Sequence, residues 1–229
     1  MAIHHLRPYK IFTLLDGPPS SRVVNVPLPS RRGMGGTSLL ETFLILAAIR
    51  IVDARRIFEF GTFRGSNTLN MALNTPDDAE IFSLDLDQRS ASGLEQHPDD
   101  APLTEVHLNC GSALDFSGAS VERKIQILTG DSTKFNFSSW QGSIDLAFID
   151  GGHDYLTVKS DTENALGMAA EDRPSCVVWH DYRNWIYPSL TCYLDSLAHD
   201  REIFHIEDTM LCMWFNKLWS QTHNLNLSQ

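Results

Sequence analysis

The sequence has no excess of positive charge, no C-x-x-C pair and no apolar run long enough to span a bilayer. Its 18 Lys and Arg residues stand against 29 Asp and Glu residues, which gives a net charge of −11. Because a negative surface repels a phosphate backbone, we expect no nucleic-acid partner. The four cysteines are widely separated, which disfavours a zinc or redox motif and favours buried free thiols.

The N-terminal stretch MAIHHLRPYKIFTLLDGPPSS lacks the apolar core and the small-residue cleavage site of a signal peptide. Since the chain also lacks a transmembrane run, we expect a cytoplasmic protein with no membrane partner. No internal repeat or low-complexity tract interrupts the sequence.

A chain of 229 residues, 42% of them hydrophobic, is long enough to bury one core. We predict a single domain over residues 33–216. Residues 1–32 contain five prolines and few periodic apolar positions, so we predict an irregular arm or a lid there, with a flexible leader as the alternative. The residues from 217 to 229 are predicted to form a polar tail.

The middle of the chain alternates strand and helix signals. Ser38 followed by Glu41 predicts a capping box at the start of an apolar helix. Short β-rich runs separated by helix-length segments predict a parallel sheet with helices on both faces. Near the end, EIFHIEDTMLCMWFN predicts an antiparallel hairpin at the sheet edge. The predicted fold is α/β: a Rossmann-like, doubly wound, mostly parallel seven-stranded sheet with a C-terminal antiparallel hairpin.

The stretch RIFEFGTFRGSNTLNMA places Gly61 and Gly65 where a strand ends and a helix begins. Ligands of open parallel sheets bind at such crossings, and glycines let the backbone turn sharply and approach a ligand. The spacing is G-x-x-x-G rather than G-x-G-x-x-G, which disfavours a pyrophosphate. Glu59 before the first glycine suits a positively charged ligand. Asp85, ending the next strand, can accept both ribose hydroxyls, so S-adenosylmethionine fits.

With these motifs the chain resembles the class I S-adenosylmethionine-dependent methyltransferases, whose first motif is E/D-x-G-x-x-x-G. FIDGGHDYLTVKSDTENAL and VVWHDY are similar to later motifs of the catechol-type and the macrocin and cephalosporin-cluster-type small-molecule O-methyltransferases. The resemblance runs roughly from Gly33 to Phe215. It implies S-adenosylmethionine as the cofactor and a small-molecule acceptor that is methylated at a hydroxyl oxygen.

The resemblance also assigns roles to individual residues. The methionine end of the cofactor is assigned to Glu59, Gly61 and Gly65, and Thr62 adds backbone contacts or cover. The ribose is assigned to Asp85, and the adenine amino group to Asp131 and Ser132. Asp150 is assigned to the place that faces the reactive methyl group. In the metal-dependent relatives, positions that match Asp150, His180 and Asp181 hold magnesium.

Transfer to oxygen needs a deprotonated acceptor, so we expect a general base or a metal ion. His153 in DGGH is the predicted base, oriented by Asp150, because an ordinary histidine pKa of about 6.5 suits proton abstraction at neutral pH. An imidazole at His180 suits zinc, manganese, iron or nickel better than magnesium. The resemblance therefore allows a divalent metal ion without fixing its identity.

Other interpretations stay open at this stage. The strand-end carboxylates could simply meet water, and Asp131 could cap a turn. His153 could cap the helix that begins at Asp154, and His180 could bond to backbone groups. The whole protein could instead be a nicotinamide-dependent oxidoreductase, or a non-catalytic protein that binds S-adenosylmethionine. The acceptor and the oligomeric state are not encoded in these motifs, although analogy with the relatives keeps a homodimer open.

Overall fold

The computed structural model describes residues 3–18, 20, 22–27, 36–92, 97–110 and 114–216. Its strands are β1 (His4–Leu6), β2 (Arg56–Phe60), β3 (Glu80–Asp85), β4 (Ile125–Thr129), β5 (Leu146–Ile149), β6 (Cys176–Trp179), β7 (Phe204–Ile206) and β8 (Cys212–Phe215). Its helices are α1 (Pro8–Thr13), α2 (Leu39–Ile51), α3 (Ser66–Leu73), α4 (Gln88–Ala91), α5 (Ala101–Cys110), α6 (Tyr155–Met168) and α7 (Pro188–Leu197).

One sheet contains all eight strands, in the order β1-β7-β8-β6-β5-β2-β3-β4. Strands β2 to β6 are parallel to their neighbours within this group, and β8 is antiparallel to both β6 and β7. The Rossmann-like, mostly parallel fold with its antiparallel C-terminal pair is therefore confirmed.

Alternate residues of the central strands face two separate cores. Ile57 of β2 packs with α2 and α3 on one face of the sheet, whereas its neighbour Phe58 packs with α6 and α7 on the other. Side chains alternate across a strand, so one apolar strand can cover both layers. The helices contribute fully buried side chains to both cores, such as Leu44 from α2 and Val158 from α6.

The start of α2 follows the sequence prediction. Ser38 accepts a hydrogen bond from the Glu41 amide at 3.3 Å, and the Ser38 amide donates to Glu41 Oε2 at 2.7 Å. This reciprocal capping box fixes where the helix begins. Among the cysteines, Cys176 and Cys212 are buried thiols, as predicted. Cys192 is exposed, contrary to the prediction, and the side chain of Cys110 lies outside the described part.

The structure changes the predicted sheet at one edge. There are eight strands rather than seven, because His4–Leu6 pairs in parallel with β7. This strand and helix α1 lie within residues 1–32, which the sequence predicted to be irregular. The hairpin of β7 and β8 consequently lies inside the sheet, since β1 covers its outer strand. The predicted boundary at residue 33 and the polar tail 217–229 fall outside the described residues.

Backbone hydrogen bonds continue past the strand ends and hold the loops in register there. The Gly61 amide donates to Leu84 at 2.8 Å, the Asp150 amide to Phe60 at 2.9 Å and the His180 amide to Ile149 at 3.0 Å. The loops after β2, β5 and β6 are thus placed side by side at one edge of the sheet. In the part of the chain that the structure describes, no helix has both the length and the apolar character to cross a membrane.

Candidate functional site

A cavity of about 600 Å³ lies at the carboxyl ends of strands β2 to β6, with α5 and α6 completing its walls. Small-molecule sites in proteins have volumes of about 300–1,000 Å³, and open parallel sheets bind ligands at this edge. Nine of the predicted site residues line the cavity: Gly61, Thr62, Asp85, Asp131, Ser132, Asp150, His153, His180 and Asp181. Glu59 and Gly65 are not among its lining residues.

Gly61 has the closest backbone approach in the site. Its φ is +91°, and a Cβ added there would lie 2.2 Å from the carbonyl oxygen of Asp150. Only a residue without a side chain can take this conformation and this contact together. Because Gly61 has no side chain, the loops after β2 and β5 can pack closely together. The adjoining part of the cavity also stays open.

Glu59 and Gly65 do not line the cavity, but they stabilise the segments that do. Glu59 is 1% exposed, and its Oε2 accepts hydrogen bonds from Thr68 and Ser83, both at 2.5 Å. Burial raises the pKa of Glu59 to about 8, although the two hydroxyl groups act in the opposite direction. Gly65 caps α3 at φ +82°, where a Cβ would lie 2.5 Å from the ring of Phe116. Neither residue is placed to touch a ligand in the cavity directly.

Asp85 is tied to the loop that follows β2. Its Oδ2 accepts the amides of Thr62 and Phe63, both at 2.8 Å, and its Oδ1 accepts the Leu86 amide at 2.7 Å. A carboxylate offers about four acceptor positions, so it can still accept from a ligand. Its orientation is fixed before any ligand arrives.

Asp131 makes a local turn after β4, and its neighbour Ser132 contacts α6. Asp131 Oδ1 accepts the amide and the hydroxyl of Thr133 at 2.9 and 2.6 Å, and Lys134 lies 2.7 Å from Oδ2. Burial tends to raise the pKa of Asp131, but these partners outweigh it and lower the pKa. The Ser132 hydroxyl contacts the carboxyl group of Asp161 in α6.

His180 is enclosed by three carboxylates. Its Nδ1 lies 3.1 Å from Asp150 Oδ1 and 3.1 Å from Asp181 Oδ2, and its Nε2 lies 3.5 Å from Glu41 Oε1. Burial alone would lower the pKa of His180, but the three carboxylates raise it well above its usual value. Burial would raise the pKa of Glu41, yet His180 and the amides of Met210 and Ser38 lower it to about 2.

This arrangement fits a divalent cation. Ligand atoms of Asp150, His180 and Asp181 lie within 4.8 Å of one another. The Nδ1 atom of His180, which faces both aspartates, would be the nitrogen ligand of such an ion. Glu41 would then face the opposite nitrogen, as carboxylates do behind metal-bound histidines. Mixed nitrogen and oxygen ligands suit zinc, manganese, iron or nickel.

His153 joins two segments that are far apart in sequence. Its Nδ1 lies 2.7 Å from Asp100 Oδ1 and its Nε2 2.9 Å from Asp181 Oδ2, while its ring stacks on Tyr187 with centroids 3.8 Å apart. Burial would lower the pKa of His153, but the two carboxylates raise it to about 10. The ring therefore carries protons on both nitrogens at neutral pH. Its partners are Asp100 and Asp181 rather than the predicted Asp150.

The raised pKa of His153 bears on the prediction that this residue is a general base. A general base needs a free nitrogen lone pair and a pKa near the working pH. In this arrangement His153 has neither, so the base role stays a prediction without the ordinary pKa on which it was founded.

The sequence reasoning missed the place of five residues in the site. Glu41 of α2, Asp100 before α5 and Tyr187 before α7 build the corner around the two histidines. Arg64, interpreted from sequence as a surface residue, lines the cavity. Asp161 of α6 also lines it and is 1% exposed. The sequence signal for Asp161 was an acid at a buried, helically spaced position next to Thr162 and Val158.

Known proteins with the same fold include methyltransferases solved with their cofactor. The structure of the Podospora anserina methyltransferase PaMTH1, bound to SAH, aligns with a TM-score of 0.55 and 15% identity over 79% of each chain. The structure of the O-methyltransferase TomG from Streptomyces achromogenes, in complex with SAM, aligns with a TM-score of 0.52 and 15% identity over 79% of this chain and 80% of that one. At these identities, the comparison shows a shared fold.

Sequence comparison adds a more specific relationship. A caffeoyl-CoA O-methyltransferase from Stellaria longipes is 30% identical over 120 residues, which are 50% of this chain and 42% of the relative. The chain thus spans less than half the length of that curated relative. Residues 58–182, more than half of the chain, match the family described as "Methyltransferase domain". Together with the fold, this match shows that the chain belongs to the methyltransferase domain family.

Proposed function

We propose that this chain transfers a methyl group from S-adenosylmethionine to a hydroxyl oxygen of a small-molecule acceptor. The observation that carries the proposal is the cavity at the ends of β2 to β6. In it, Gly61 adjoins Asp150, and Asp150 belongs to a cluster with His180 and Asp181. Family membership supports the methyl-transfer chemistry, and the related caffeoyl-CoA enzyme supports oxygen as the accepting atom.

The cofactor would lie across the loops after β2, β3 and β4. We assign its methionine end to the Gly61–Thr62 loop, its ribose to Asp85 and its adenine to Asp131 and Ser132. The amide bonds that orient Asp85 support this assignment, because they hold the carboxylate in one position. Glu59 would act indirectly, through the hydroxyl chain in which Ser83 joins it to Thr62.

Holding donor and acceptor in line contributes about 7–11 kcal/mol to such a reaction. Asp150 adjoins both Gly61 and His180, so it lies between the proposed methionine end and the corner around the histidines. We propose that the acceptor hydroxyl lies beside Asp150. The segment after Asp181, which also lines the cavity, would surround the rest of the acceptor.

We assign Asp150, His180 and Asp181 as the residues that would hold a divalent metal ion. Such an ion, when bound, would acidify the acceptor hydroxyl and so supply the deprotonated oxygen. Glu41 would orient the His180 ring from the other side. The two aspartates would keep the local charge negative enough to attract a cation.

For His153 we propose a positioning role. The doubly protonated ring bonds to Asp181 through one nitrogen and to Asp100 through the other, and so it fixes one oxygen of Asp181. Asp181 has φ +63°, an uncommon conformation for a residue with a side chain. The hydrogen bond from His153 to the Asp181 side chain would help to hold that conformation.

A transfer assay tests the proposed function. Protein is incubated with S-adenosylmethionine carrying a labelled methyl group, a panel of catechols, phenols and sugars, and one divalent metal at a time. We expect labelled product and S-adenosylhomocysteine with at least one acceptor. Cofactor binding without turnover on any acceptor would favour the non-catalytic alternative, whereas binding of NAD without binding of S-adenosylmethionine would favour the oxidoreductase.

A matched pair of variants connects turnover to the site. Asp181→Asn removes a charge from the proposed metal site of Asp150, His180 and Asp181. Asp172→Asn removes a charge from an exposed side chain outside the cavity. We expect Asp181→Asn to lose most of the turnover and Asp172→Asn to keep it. Equal turnover in the two variants would contradict the assignment.

A further inference from the structure

Two histidines face each other at the edge of the sheet, away from the cavity. His5 of β1 and His205 of β7 are 200 residues apart in sequence, and they lie directly opposite in the parallel pairing of the two strands. Their Nδ1 atoms are 2.9 Å apart, and their ring planes are nearly perpendicular, at 88°. Neither residue lines the cavity, so the pair is separate from the proposed methyl-transfer site.

The second nitrogen of His205 fixes which atom of its ring is protonated. Nε2 lies 2.9 Å from the carbonyl oxygen of Thr209, and a carbonyl oxygen can only accept a hydrogen bond. In the neutral ring, Nε2 therefore carries the proton and Nδ1 presents a lone pair to His5. Metal-bound histidines are oriented in the same way, with the other ring nitrogen donating to a carbonyl or a carboxylate group. The ring of Tyr182, 5.0 Å away between centroids, packs against His205.

The surroundings of His205 are compatible with a neutral ring. The residue is 6% exposed, and burial lowers its pKa below the usual value, although the Thr209 carbonyl acts to raise it. The charges of Arg183 and Glu207 act on the pKa of His205 in opposite directions. A metal ion binds the neutral form of histidine, so this environment leaves Nδ1 available as a ligand.

We propose that the Nδ1 atoms of His5 and His205 bind one divalent transition-metal ion, such as zinc, nickel or copper, which joins β1 to β7. Imidazole ligands suit these ions, whereas magnesium and calcium take oxygen ligands. Water would complete the coordination. The hydrogen that His5 places between the two nitrogens would move to the other nitrogen of its ring, so both Nδ1 atoms would face the ion.

The geometry needs only a small adjustment. Zinc–nitrogen bonds of about 2.0–2.1 Å at a tetrahedral angle place two nitrogens about 3.3 Å apart, so the rings must separate by about 0.4 Å. His5 is exposed, and its side chain is free to turn by that amount. His205 would keep its position, because Thr209 holds its other nitrogen.

A metal ion here would act on the docking of β1. The strand has three residues, and backbone hydrogen bonds at its two ends tie it to the chain around β7. The His4 amide donates to Ile203 at 2.9 Å, and the Glu207 amide donates to Leu6 at 2.8 Å. Short edge elements open locally at a lower free-energy cost than the core. An ion that binds only the docked strand would suppress this opening by mass action.

Hydrogen exchange followed by NMR tests the proposal in chelator-treated protein to which zinc alone is added. We expect exchange of the His4 and Glu207 amides to slow as zinc rises, by about tenfold when zinc reaches ten times its dissociation constant. Magnesium should leave both amides unchanged, because it does not favour imidazole ligands.

Two variants of adjacent histidines separate the ligand from its neighbour. His5→Gln removes one metal ligand but keeps a side chain that can donate to Nδ1 of His205, so exchange without zinc should stay within about threefold of wild type while the zinc effect disappears. His4→Gln is the matched control, since His4 lies in the same strand and its ring approaches Glu202 at 3.8 Å. This variant should keep the full zinc effect.

The opposite results would overturn the proposal. If zinc leaves β1 exchange unchanged in the wild-type protein, or slows it equally in His5→Gln, the two histidines form a hydrogen-bonded pair only. An equal effect of magnesium would also exclude a site built from imidazole nitrogens. Because neither histidine belongs to the cavity, each of these results leaves the proposed methyl transfer unaffected.

Discussion

Replacing Gly61 by alanine tests the contact on which the site geometry depends. The new Cβ would lie 2.2 Å from the Asp150 carbonyl oxygen and 2.7 Å from its carbonyl carbon, whereas ordinary contacts begin at 3.4 Å. Both atoms belong to the backbone, so the loop after β5 must move by about 1 Å. Overpacking of this kind costs about 1–3 kcal/mol, and an alanine at φ +91° costs about 1–2 kcal/mol more.

The sum is a loss of about 2–5 kcal/mol, which lowers the melting temperature of a chain this long by an amount on the order of 10 °C. The loop that must move carries Asp150, so the affinity for S-adenosylhomocysteine should fall as well. Thermal unfolding followed by circular dichroism measures the first effect, and titration calorimetry measures the second.

Gly118→Ala is the matched control for this experiment. Gly118 has φ +76°, but nothing lies within 4 Å of a Cβ added there. This variant therefore has the backbone strain without the clash, and Gly118 does not line the cavity. We expect Gly61→Ala to be less stable than Gly118→Ala by about 1–3 kcal/mol. Equal losses in the two variants, with unchanged ligand affinity, would refute the reasoning.

Three other variants test separate parts of the structure. The folded-state pKa of Glu59 is raised from 4.5 to about 8, so the folded protein binds this proton more tightly than the unfolded chain. Wild-type stability should therefore fall by a few kcal/mol relative to Glu59→Gln as the pH rises through that window, at about 1.4 kcal/mol per pKa unit. Urea midpoints at pH 5 and 8.5 measure the difference, and parallel pH profiles would contradict it. Glu41→Gln keeps the helix cap but removes the charge behind His180, so we expect about 10–100-fold weaker manganese or zinc binding by calorimetry. Unchanged metal affinity would show that Glu41 does not orient His180 for metal binding. Asp145→Asn weakens the bond that Asp145 accepts from Arg173 at 2.6 Å, and it should cost about 1–3 kcal/mol in urea unfolding. Because Asp145 lies at the opposite end of β5 from the cavity, a parallel loss of cofactor affinity would contradict this reasoning.

The strand ends were the predictable part of the site. A glycine after an apolar run and an acid at the end of the next run both mark carboxyl ends of parallel strands, and the structure places Gly61 and Asp85 in one cavity. The same reasoning did not show how the side chain of Glu59, one residue before the strand end, is oriented. Side chains alternate across a strand, and Glu59 points beneath the loop toward Thr68 instead of into the cavity.

The histidine corner was less predictable because its partners are distant in sequence. Asp100 is 53 residues before His153, in a segment without a clear helical period. Glu41 already had a complete local explanation as the acid of a capping box. Its second oxygen accepts the Met210 amide at 2.9 Å and faces His180, which no local pattern indicates. Without these partners, the sequence could not show that neighbouring carboxylates raise the pKa of both histidines.

The edge of the sheet was missed for a different reason. Strand β1 has three residues, HHL, which is too short for alternation to appear in sequence. Its pairing with β7 gives it order that its own sequence does not specify. The lid prediction for residues 1–32 stays a prediction, and β1 and α1, the regular elements described there, do not line the cavity.

Hydrogen exchange with and without S-adenosylhomocysteine tests the central claim most directly, because it locates the bound nucleoside on the chain. We predict slower exchange in residues 60–66, 84–87, 130–133 and 150–154, with no change in α1 or the adjoining face of α2. Unchanged exchange at those four loops in the presence of saturating ligand would contradict the account, as would protection confined to another part of the chain.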